Sequence, residues 1–250
     1  PEWAVHVGAE IQSSVATDVE SLMGKIDAAI IAVPTCDHST TALPLLREGI
    51  SCLVEKPIAA SEEEAESMLL AADQGGAVLQ IGHIERFNSV IDVLFKQVGP
   101  ISAIRRIKAI RHNLPQVRLY DADVVLDLMI HDIDLITSLV RAPLISVDAV
   151  GAAVVSEQED IVSARLGFAS GCTANLTASR VSLKTERTMR IFQPDTYLVA
   201  DLAERKVTSR RKGEGEMFPG IPNIETEDFS KEITLNDAKA IDNKKDFKII

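Results

Sequence analysis

A lysine between a glutamate and a proline follows a short apolar run near residue 55. The run covers residues 50–54 and is typical of a buried strand, and Glu55, Lys56 and Pro57 come directly after it. Because proline has a fixed φ and disfavours helical backbone in the residue before it, we expect the strand to stop there and to present the lysine at its edge. The carboxyl ends of strands are where open α/β sheets bind ligands. Taken alone, such a lysine is more often a solvated strand end.

A second group of residues that can do chemistry lies in segment 127–134, which reads DLMIHDID. Asp127, His131 and Asp134 are spaced i, i+4 and i+7, so a helix places them on one face. A carboxylate one turn from an imidazole can fix its tautomer and raise its basicity, which suits a general acid or base. The alternative is a half-buried histidine in a helix whose acidic residues complement the dipole. A metal ion could also face His131 and Asp134, but no second histidine or HExxH pattern accompanies them, so we expect no metal.

The first third of the chain alternates apolar runs with amphipathic segments. The run at 26–33 is continuously apolar, which predicts a strand buried on both faces. Ser61 and Glu64 predict a capping box at the start of a helix, and Gly49 and Gly75-Gly76 are helix stops. Strands alternating with helices over short connections predict a parallel sheet with right-handed crossovers. In order, we expect strand 26–33, helix 40–48, strand 50–54, a helix from 61 to about 73, and strand 77–81.

Beyond Gly82 the pattern changes to consecutive strands. These predict a mostly antiparallel sheet with one face covered by helices. The Gly-, Pro- and Glu-rich segment 211–231 favours a long loop. The fold class is therefore α/β plus α+β, with a partial Rossmann domain at 1–84 and an open-sheet substrate domain at 85–250. We expect helices at 85–98 and 123–140, and strands at 101–110, 144–155, 160–169, 172–181, 187–193 and 196–201.

Composition excludes several classes of function. The chain has 250 residues and a formal net charge of −11, which argues against nucleic-acid binding as its main role. No apolar stretch is long enough to span a membrane, and residues 1–20 lack the pattern of a signal peptide. The three cysteines have no CxxC spacing, which favours a reducing, cytoplasmic location, and we expect them to be small core or near-core residues.

Three motifs in order carry a resemblance to a known family. The VEKP sequence, GHIERFN at 82–88 and DLMIHDID together resemble the Gfo/Idh/MocA family of NAD(P)-dependent sugar oxidoreductases, over residues 18 to about 180. The resemblance implies that Lys56, Asp127 and His131 are catalytic. It further implies that the cofactor, NAD or NADP, is bound by four residues at the Rossmann strand ends, namely Pro34, Thr35, His38 and Glu55. The alternative is an ordinary βα turn with His38 at a helix start.

The mechanism implied by the resemblance is hydride transfer. Lys56 and His131 would hold a ring hydroxyl, and His131, oriented by Asp127, would accept its proton while the carbon-bound hydrogen leaves as hydride to the nicotinamide. Lys56 would stabilise the negative charge that develops on the oxygen.

The start of the chain departs from the family pattern. The family's opening strand, GxGxxG turn and following acidic residue are absent, and the GxG at 213–215 lacks the strand and helix that such a turn needs. We therefore expect the chain to be N-terminally incomplete, with poor dinucleotide affinity because the backbone N–H groups for the pyrophosphate are missing. Its end at Lys248-Ile249-Ile250 also suggests a cut before a final helix.

The substrate is predicted from the sequences of two motifs and from a group of basic residues. GHIERFN and DLMIHDIDLI look most similar to the branch of the family that oxidises UDP-N-acetylglucosamine at C3. A nucleotide diphosphate needs cations, and His83, Arg86 and Arg111 are the predicted substrate-binding residues. Solvated charges are an equal alternative for this basic group, and free sugars, inositols or other cyclic polyols are alternative substrates. The other basic residues of the group are Arg105, Arg106, His112 and Arg118.

A function of another class is a binding or assembly module of the same fold without catalysis. Its open sheet would pair with a second copy, giving a homodimer or homotetramer. An enzyme requires Lys56, Asp127 and His131 to converge on one cleft, whereas a module predicts a large apolar sheet face.

Overall fold

Three short apolar runs form a parallel sheet in the computed structural model, which describes residues 2–10, 12–115 and 122–233. Contacts divide the chain into two units, Pro1–His83 and Ile84–Ile250, and this sheet lies in the first. Its strand order is β1-β2-β3, and β1 and β3 each pair with β2 in parallel. The elements of this unit are α1 (Glu2–Glu10), β1 (Ala28–Ile31), α2 (His38–Arg47), β2 (Ser51–Val54), α3 (Glu62–Gly75) and β3 (Leu79–Ile81).

The helices of the first unit follow the local signals in the sequence. The Ser61 side chain accepts a hydrogen bond from the Glu64 N–H at 3.3 Å and caps α3. Gly76, with φ of +67°, ends the same helix in the left-handed conformation that glycine adopts without strain. The predicted cap and stop are therefore confirmed.

The prediction that the first strand is buried on both faces is wrong. Ile31 is 4% exposed, whereas Ile30 is 73% exposed. With strand order β1-β2-β3, successive right-handed crossovers put α2 and α3 on the same side of the sheet. The core of this unit accordingly joins Ile31 and Val54 to Leu45, Leu46 and Met68.

The second unit is built on an eight-stranded sheet of order β11-β10-β9-β8-β4-β7-β6-β5. Strands β4 and β7 pair in parallel, and the other neighbours in this sheet pair antiparallel. The predicted fold class is confirmed. The elements are α4 (Ser89–Gln97), β4 (Arg106–His112), α5 (Ile130–Val140), β5 (Leu144–Ala152), β6 (Ile161–Phe168), β7 (Thr173–Ser179), β8 (Glu186–Phe192), β9 (Thr196–Asp201), β10 (Lys206–Phe218) and β11 (Ile221–Asp228).

One face of this sheet packs against α4 and α5. Its inward residues, such as Ile107 and Leu176, share a core with Leu94 of α4 and Ile136 of α5. Residues of the opposite face, such as Lys108, alternate with them along the strands and are exposed or half-buried. The sheet is therefore open on one side among the described residues.

The predicted loop at 211–231 is wrong, because this segment lies mainly in the β10–β11 hairpin. Ser209 pairs with Glu227 and Arg211 with Glu225, which extends the sheet beyond β9. The composition suits an exposed two-stranded ribbon, in which backbone pairing needs no apolar side chains. The GxG at 213–215 falls where the register shifts between Lys212 and Glu216.

Two predicted helices are divided in the structure. Asn88 interrupts segment 85–98, because its side chain accepts a hydrogen bond from the Val90 N–H at 3.0 Å and starts α4 there, after a 3-10 turn at Ile84–Phe87. The predicted helix at 123–140 begins with a π-helical turn at Val125–Met129 before α5. Segment 101–110 likewise begins with a 3-10 turn, Ile101–Ala103, before β4.

The three cysteines lie in different environments. Cys52 and Cys172 are buried, but Cys36 is exposed, since it lies in the 3-10 turn Thr35–Asp37 that follows β1. All three are free thiols. Within the described ranges, no helix combines the length and the apolar character that crossing a membrane requires.

A buried ion pair fixes the loop between β5 and β6 to the segment that precedes the π turn. The Arg180 Nε donates to Asp160 Oδ1 at 2.8 Å, and its Nη1 donates to the Ala122 carbonyl at 2.7 Å. Burial would raise the pKa of Asp160, but N–H groups of residues 154–156 and the Arg180 guanidinium hold that pKa well below its usual value. Asp160 therefore stabilises the fold at neutral pH, and this contribution is lost as the pH falls below about 4.

Replacing Arg180 with methionine is expected to lower the free energy of unfolding by about 2–3 kcal/mol. The Asp160 carboxylate would stay buried, with backbone N–H groups and the Ser156 hydroxyl as its remaining donors. Urea denaturation at neutral pH measures the difference. Exposed Arg47, replaced in the same way, serves as the control and should change stability little. Equal stabilities of the Arg180 variant and the parent chain would contradict the assigned role.

Candidate active site

The loop that carries Lys56 is held by both neighbouring strands. The Glu55 N–H donates to the Ile31 carbonyl at 2.9 Å, and the Gly82 N–H donates to the Val54 carbonyl at 2.7 Å. Lys56 is half-buried, and its N–H lies 3.3 Å from Glu55 Oε2. The Lys56–Pro57 peptide bond is cis. The lysine thus lies at the carboxyl edge of the parallel sheet, as expected for a strand that ends at Pro57.

Glycine at position 82 leaves room for the Glu55 carboxylate. A Cβ atom at Gly82 would lie 3.1 Å from Glu55 Oε2 and 3.2 Å from its carboxyl carbon, closer than ordinary van der Waals contact. Any side chain there would push the carboxylate away from the Lys56 N–H.

His83, which follows Gly82 and is a predicted substrate-binding residue, is half-buried, and its N–H donates to the Ile81 carbonyl at 2.8 Å.

The predicted cofactor-binding residues at the end of β1 lie in two different environments. Pro34 is exposed and Thr35 half-buried, and both precede α2 at the carboxyl edge of the sheet. His38 is 1% exposed. Its Nδ1 lies 3.0 Å from the Pro57 carbonyl and its Nε2 lies 3.0 Å from the Val33 carbonyl. His38, a predicted cofactor-binding residue, therefore joins the loops after β1 and β2.

The residues predicted as general base and its orienting carboxylate surround the start of α5. Asp123 begins this segment, since its Oδ1 accepts from the Val125 N–H at 2.8 Å and the Leu126 N–H at 2.9 Å. Asp127 lies in the π turn and His131 in the first turn of α5, and both are half-buried. A π turn widens the helix locally and is frequent at functional sites. The predicted i, i+4 spacing therefore spans two helix types.

Asp134, the third acidic residue of the motif, pairs with Arg86. The Arg86 Nε donates to Asp134 Oδ2 at 2.7 Å, and its Nη2 donates to the other carboxylate oxygen. The Arg86 side chain is 52% exposed, and the Asp134 pair raises its pKa. The guanidinium is thus oriented while part of its surface stays open to solvent.

The prediction that Arg111 binds substrate is corrected by its surroundings. Its side chain is 3% exposed and lies on the helix-covered face of β4. Nη2 and Nε donate to the two Asp132 oxygens at 2.9 and 3.1 Å, and Nη1 donates to Glu85 Oε1 at 2.9 Å. Protein carboxylates therefore occupy this guanidinium, and Arg111 is a structural residue that joins β4 to α5.

Glu85 extends this buried network toward α4. Its second oxygen accepts from the Asn88 Nδ2 at 2.9 Å. Burial alone would raise the pKa of Glu85, but the charge and hydrogen bond of Arg111, helped by Asn88, keep it below its usual value. The two carboxylates raise the pKa of Arg111 despite its burial, so the arginine stays charged. Sequence reasoning missed Glu85 and Asp132, although Asp132 adjoins His131 in the motif.

The remaining basic residues of the predicted group lie in varied surroundings. Arg105 and Arg106 are exposed, and His112 is half-buried. Arg105 directly precedes β4. Arg118 lies outside the described residues. The described part of the chain contains no group of three or more His, Cys, Asp or Glu side chains that could hold a metal ion.

Comparison with protein families gives matches in both units. The model described as an oxidoreductase family with an NAD-binding Rossmann fold, Gfo/Idh/MocA, matches residues 2–83. The model for the Gfo/Idh/MocA C-terminal domain matches residues 108–195. Both motifs with candidate catalytic residues fall inside these two matches.

Individual relatives agree with the family models. UDP-N-acetylglucosamine 3-dehydrogenase from Acidithiobacillus ferrooxidans is 37% identical over 226 residues, which are 90% of this chain and 71% of the relative. A solved structure of that enzyme has a TM-score of 0.79 and 36% identity, covering 84% of this chain and 69% of that one. The NAD-dependent scyllo-inositol 2-dehydrogenase of Bacillus subtilis is 25% identical, over 80% of this chain and 63% of the relative. The three-stranded parallel sheet, the open mixed sheet and these matches together show that the chain belongs to the Gfo/Idh/MocA family of NAD-binding oxidoreductases.

Proposed function

We propose that this chain oxidises a secondary hydroxyl group of a nucleotide sugar, with UDP-N-acetylglucosamine as substrate and C3 as the reacting carbon. The observation that carries the proposal is the 37% identity with a UDP-N-acetylglucosamine 3-dehydrogenase along 90% of the chain. Supporting it, the Glu-Lys-Pro and Asp-x-x-x-His motifs are complete at 55–57 and 127–131. An inositol or another cyclic polyol is the alternative substrate, supported by the more distant inositol dehydrogenase relative.

The proposed catalytic residues are Lys56, Asp127 and His131. The Lys56 ammonium donates to the reacting hydroxyl oxygen and stabilises the negative charge that develops on it. His131 accepts the hydroxyl proton, and Asp127 keeps the imidazole in the tautomer that can do so. The chemistry that bound NAD supplies is acceptance of the hydride.

The first unit provides part of a site for a nicotinamide dinucleotide. Carboxyl ends of adjacent parallel strands form the edge where such folds bind dinucleotides, and α2 begins beside this edge with its positive N-terminal end. Pro34, Thr35 and Glu55 lie there on the surface or half-buried, and we propose that they contact the cofactor. His38 holds the loops that carry them.

Three further features belong to the proposal. We propose that His83 and Arg86 contact the substrate, because Arg86 is oriented by Asp134 yet half-exposed. We also propose a homodimer or homotetramer that assembles through the open face of the eight-stranded sheet, where β5 is exposed along its whole length. Three free thiols support a cytoplasmic, reducing location.

The test is NADH formation by the chain with NAD and each of three substrates: UDP-N-acetylglucosamine, free N-acetylglucosamine and myo-inositol. We expect NADH with the nucleotide sugar, and a 3-keto sugar nucleotide by mass spectrometry. Oxidation of myo-inositol alone would overturn the proposed substrate, and no NADH with any of the three would overturn the proposed activity.

Replacing Lys56 with methionine is expected to lower kcat roughly 10²-fold, since one donor to the developing negative charge is lost. The measurement is the steady-state rate with UDP-N-acetylglucosamine. Exposed Lys25, replaced in the same way, is the matched control and should leave kcat unchanged. A Lys56 variant as fast as the parent chain would remove this residue from the mechanism.

A further inference from the structure

Two arginines lie side by side on the helix-covered face of the eight-stranded sheet. Arg111 on β4 and Arg187 on β8 are directly paired in the antiparallel register, so their side chains leave the sheet on the same side. This side also holds Asp132 of α5, the residue after His131. Both arginines therefore lie near the start of α5, where His131, the candidate general base, is located.

The two arginines differ in what surrounds their guanidinium groups. Arg111 is almost fully buried, and Asp132 and Glu85 accept three hydrogen bonds from it. Arg187 is half-buried, and its Nε atom is buried without a hydrogen-bond partner among the described residues. Arg187 interacts electrostatically with Asp132, but no hydrogen bond joins them among the described contacts.

The backbone of Arg187 is held by hydrogen bonds, although its side-chain Nε–H has no acceptor among the described residues. Its carbonyl accepts from the Leu202 N–H at 2.7 Å, in addition to the pairing of β8 with β4 and β9. Burying a guanidinium N–H removes its hydrogen bonds to water, and without an acceptor in the protein this desolvation cost is not compensated. Such groups are rare in folded proteins and call for an explanation. A ligand oxygen at this position would supply the missing acceptor.

Arg190 shows that the missing partner alone does not define a site. Its Nε is also buried without a partner among the described residues. However, Arg190 lies three residues after Arg187 on the same strand. Because side chains alternate between faces along a strand, Arg190 points to the opposite face of the sheet, away from α5. Arg187 is distinguished by its position beside Asp132 and the start of α5.

We propose that Arg187 binds the diphosphate of the nucleotide-sugar substrate. The proposal rests on the proposed function, which supplies a diphosphate near the reacting sugar. A guanidinium presents a planar fork of donors that matches phosphate oxygens, and one with an unused Nε–H and partial exposure can accept such a ligand. Substrate binding was predicted for Arg111, but Arg111 is paired with Asp132 and Glu85. We therefore assign that role to Arg187, its partner in the β4–β8 strand pair.

The test measures binding by isothermal titration calorimetry to the full chain, with UDP-N-acetylglucosamine, UDP and inorganic pyrophosphate as separate probes. Arg187→Gln is expected to weaken all three about ten- to hundred-fold. Arg187→Lys should weaken them less, because it keeps the charge without the fork. Arg190→Gln, on the same strand but the other face, is the matched control and should bind as the parent chain does.

Several outcomes separate this proposal from the proposed function. If Arg187→Gln binds the probes as tightly as the parent and only its unfolding midpoint falls, Arg187 merely neutralises the Asp132 and Glu85 charges and the proposal is overturned. It is also overturned if the parent binds none of the probes. If pyrophosphate and UDP bind through Arg187 while UDP-N-acetylglucosamine yields no NADH, the anion site stands and the proposed substrate fails.

Discussion

Replacement of His131 by asparagine is expected to lower kcat roughly 10²–10⁴-fold, the usual contribution of a positioned general base. Asparagine keeps a polar side chain at the start of α5 but cannot accept the hydroxyl proton at neutral pH. The steady-state rate of NADH formation measures the effect, and calorimetry with UDP-N-acetylglucosamine measures binding. We expect the loss mainly in kcat, because removing a base affects the transition state more than the bound substrate.

The control for this variant is Ser138→Ala, a small change two turns further along the same helix, whose hydroxyl donates to the Leu135 carbonyl within the helix. It should keep the parent rate. A pH profile adds a second criterion, since the parent rate should fall when the base is protonated and the residual rate of His131→Asn should lose that dependence. An unchanged kcat with a raised KM would contradict the role of His131 as base and make it a binding residue.

Replacement of Arg111 by methionine is expected to lower the free energy of unfolding by about 3–5 kcal/mol, as found when one partner of a buried ion pair is removed. Asp132 would lose its bidentate partner and Glu85 one hydrogen bond, and both carboxylates would remain in a low-dielectric interior. Urea denaturation at neutral pH provides the measurement. Exposed Arg105, just before the same strand, is the matched control and should change stability by less than about 0.5 kcal/mol.

The pH dependence of this variant separates electrostatics from packing. In the parent chain Arg111 helps to keep the pKa of Glu85 below its usual value, so the Glu85 contribution is present above about pH 4.3 and is lost as the pH falls through its lowered folded-state pKa. In Arg111→Met the same burial raises the pKa, and protonation then relieves the buried charge. The stability gap should therefore narrow between pH 7 and pH 5. A gap that is constant over this range would point to lost packing of the arginine stem.

Local signals in the sequence were sufficient for several features that depend on neighbouring residues. The Ser61 cap and the Gly76 stop depend on side chains and φ angles within one helix turn, and both were predicted. The end of β2 at Val54, just before Glu55, Lys56 and Pro57, was also predicted, because proline restricts its own φ and the conformation of the residue before it.

The composition of a segment proved a weaker guide than its pairing. The Gly- and Glu-rich segment at 211–231 was predicted as a loop, yet β10 and β11 pair along most of it. Backbone hydrogen bonding to β9 starts this ribbon, and that neighbour cannot be read from the ribbon's own residues. The exposed Ile30 has the same origin, since the helices above an apolar strand are determined by crossover handedness and strand order.

The sequence by itself determined the alternation of strands and helices, the helix caps, the Glu-Lys-Pro strand end and the Asp-x-x-x-His motif, all of which depend on residues close together in the chain. Only the tertiary structure decided which arginine is paired with protein carboxylates. Arg111 meets Asp132 and Glu85 across 21 and 26 residues, and its partner across the sheet, Arg187, lies on another strand. Type and spacing identify a cation, but burial and hydrogen-bond partners, which arise only when distant segments pack, decide whether it holds the fold together or binds a ligand.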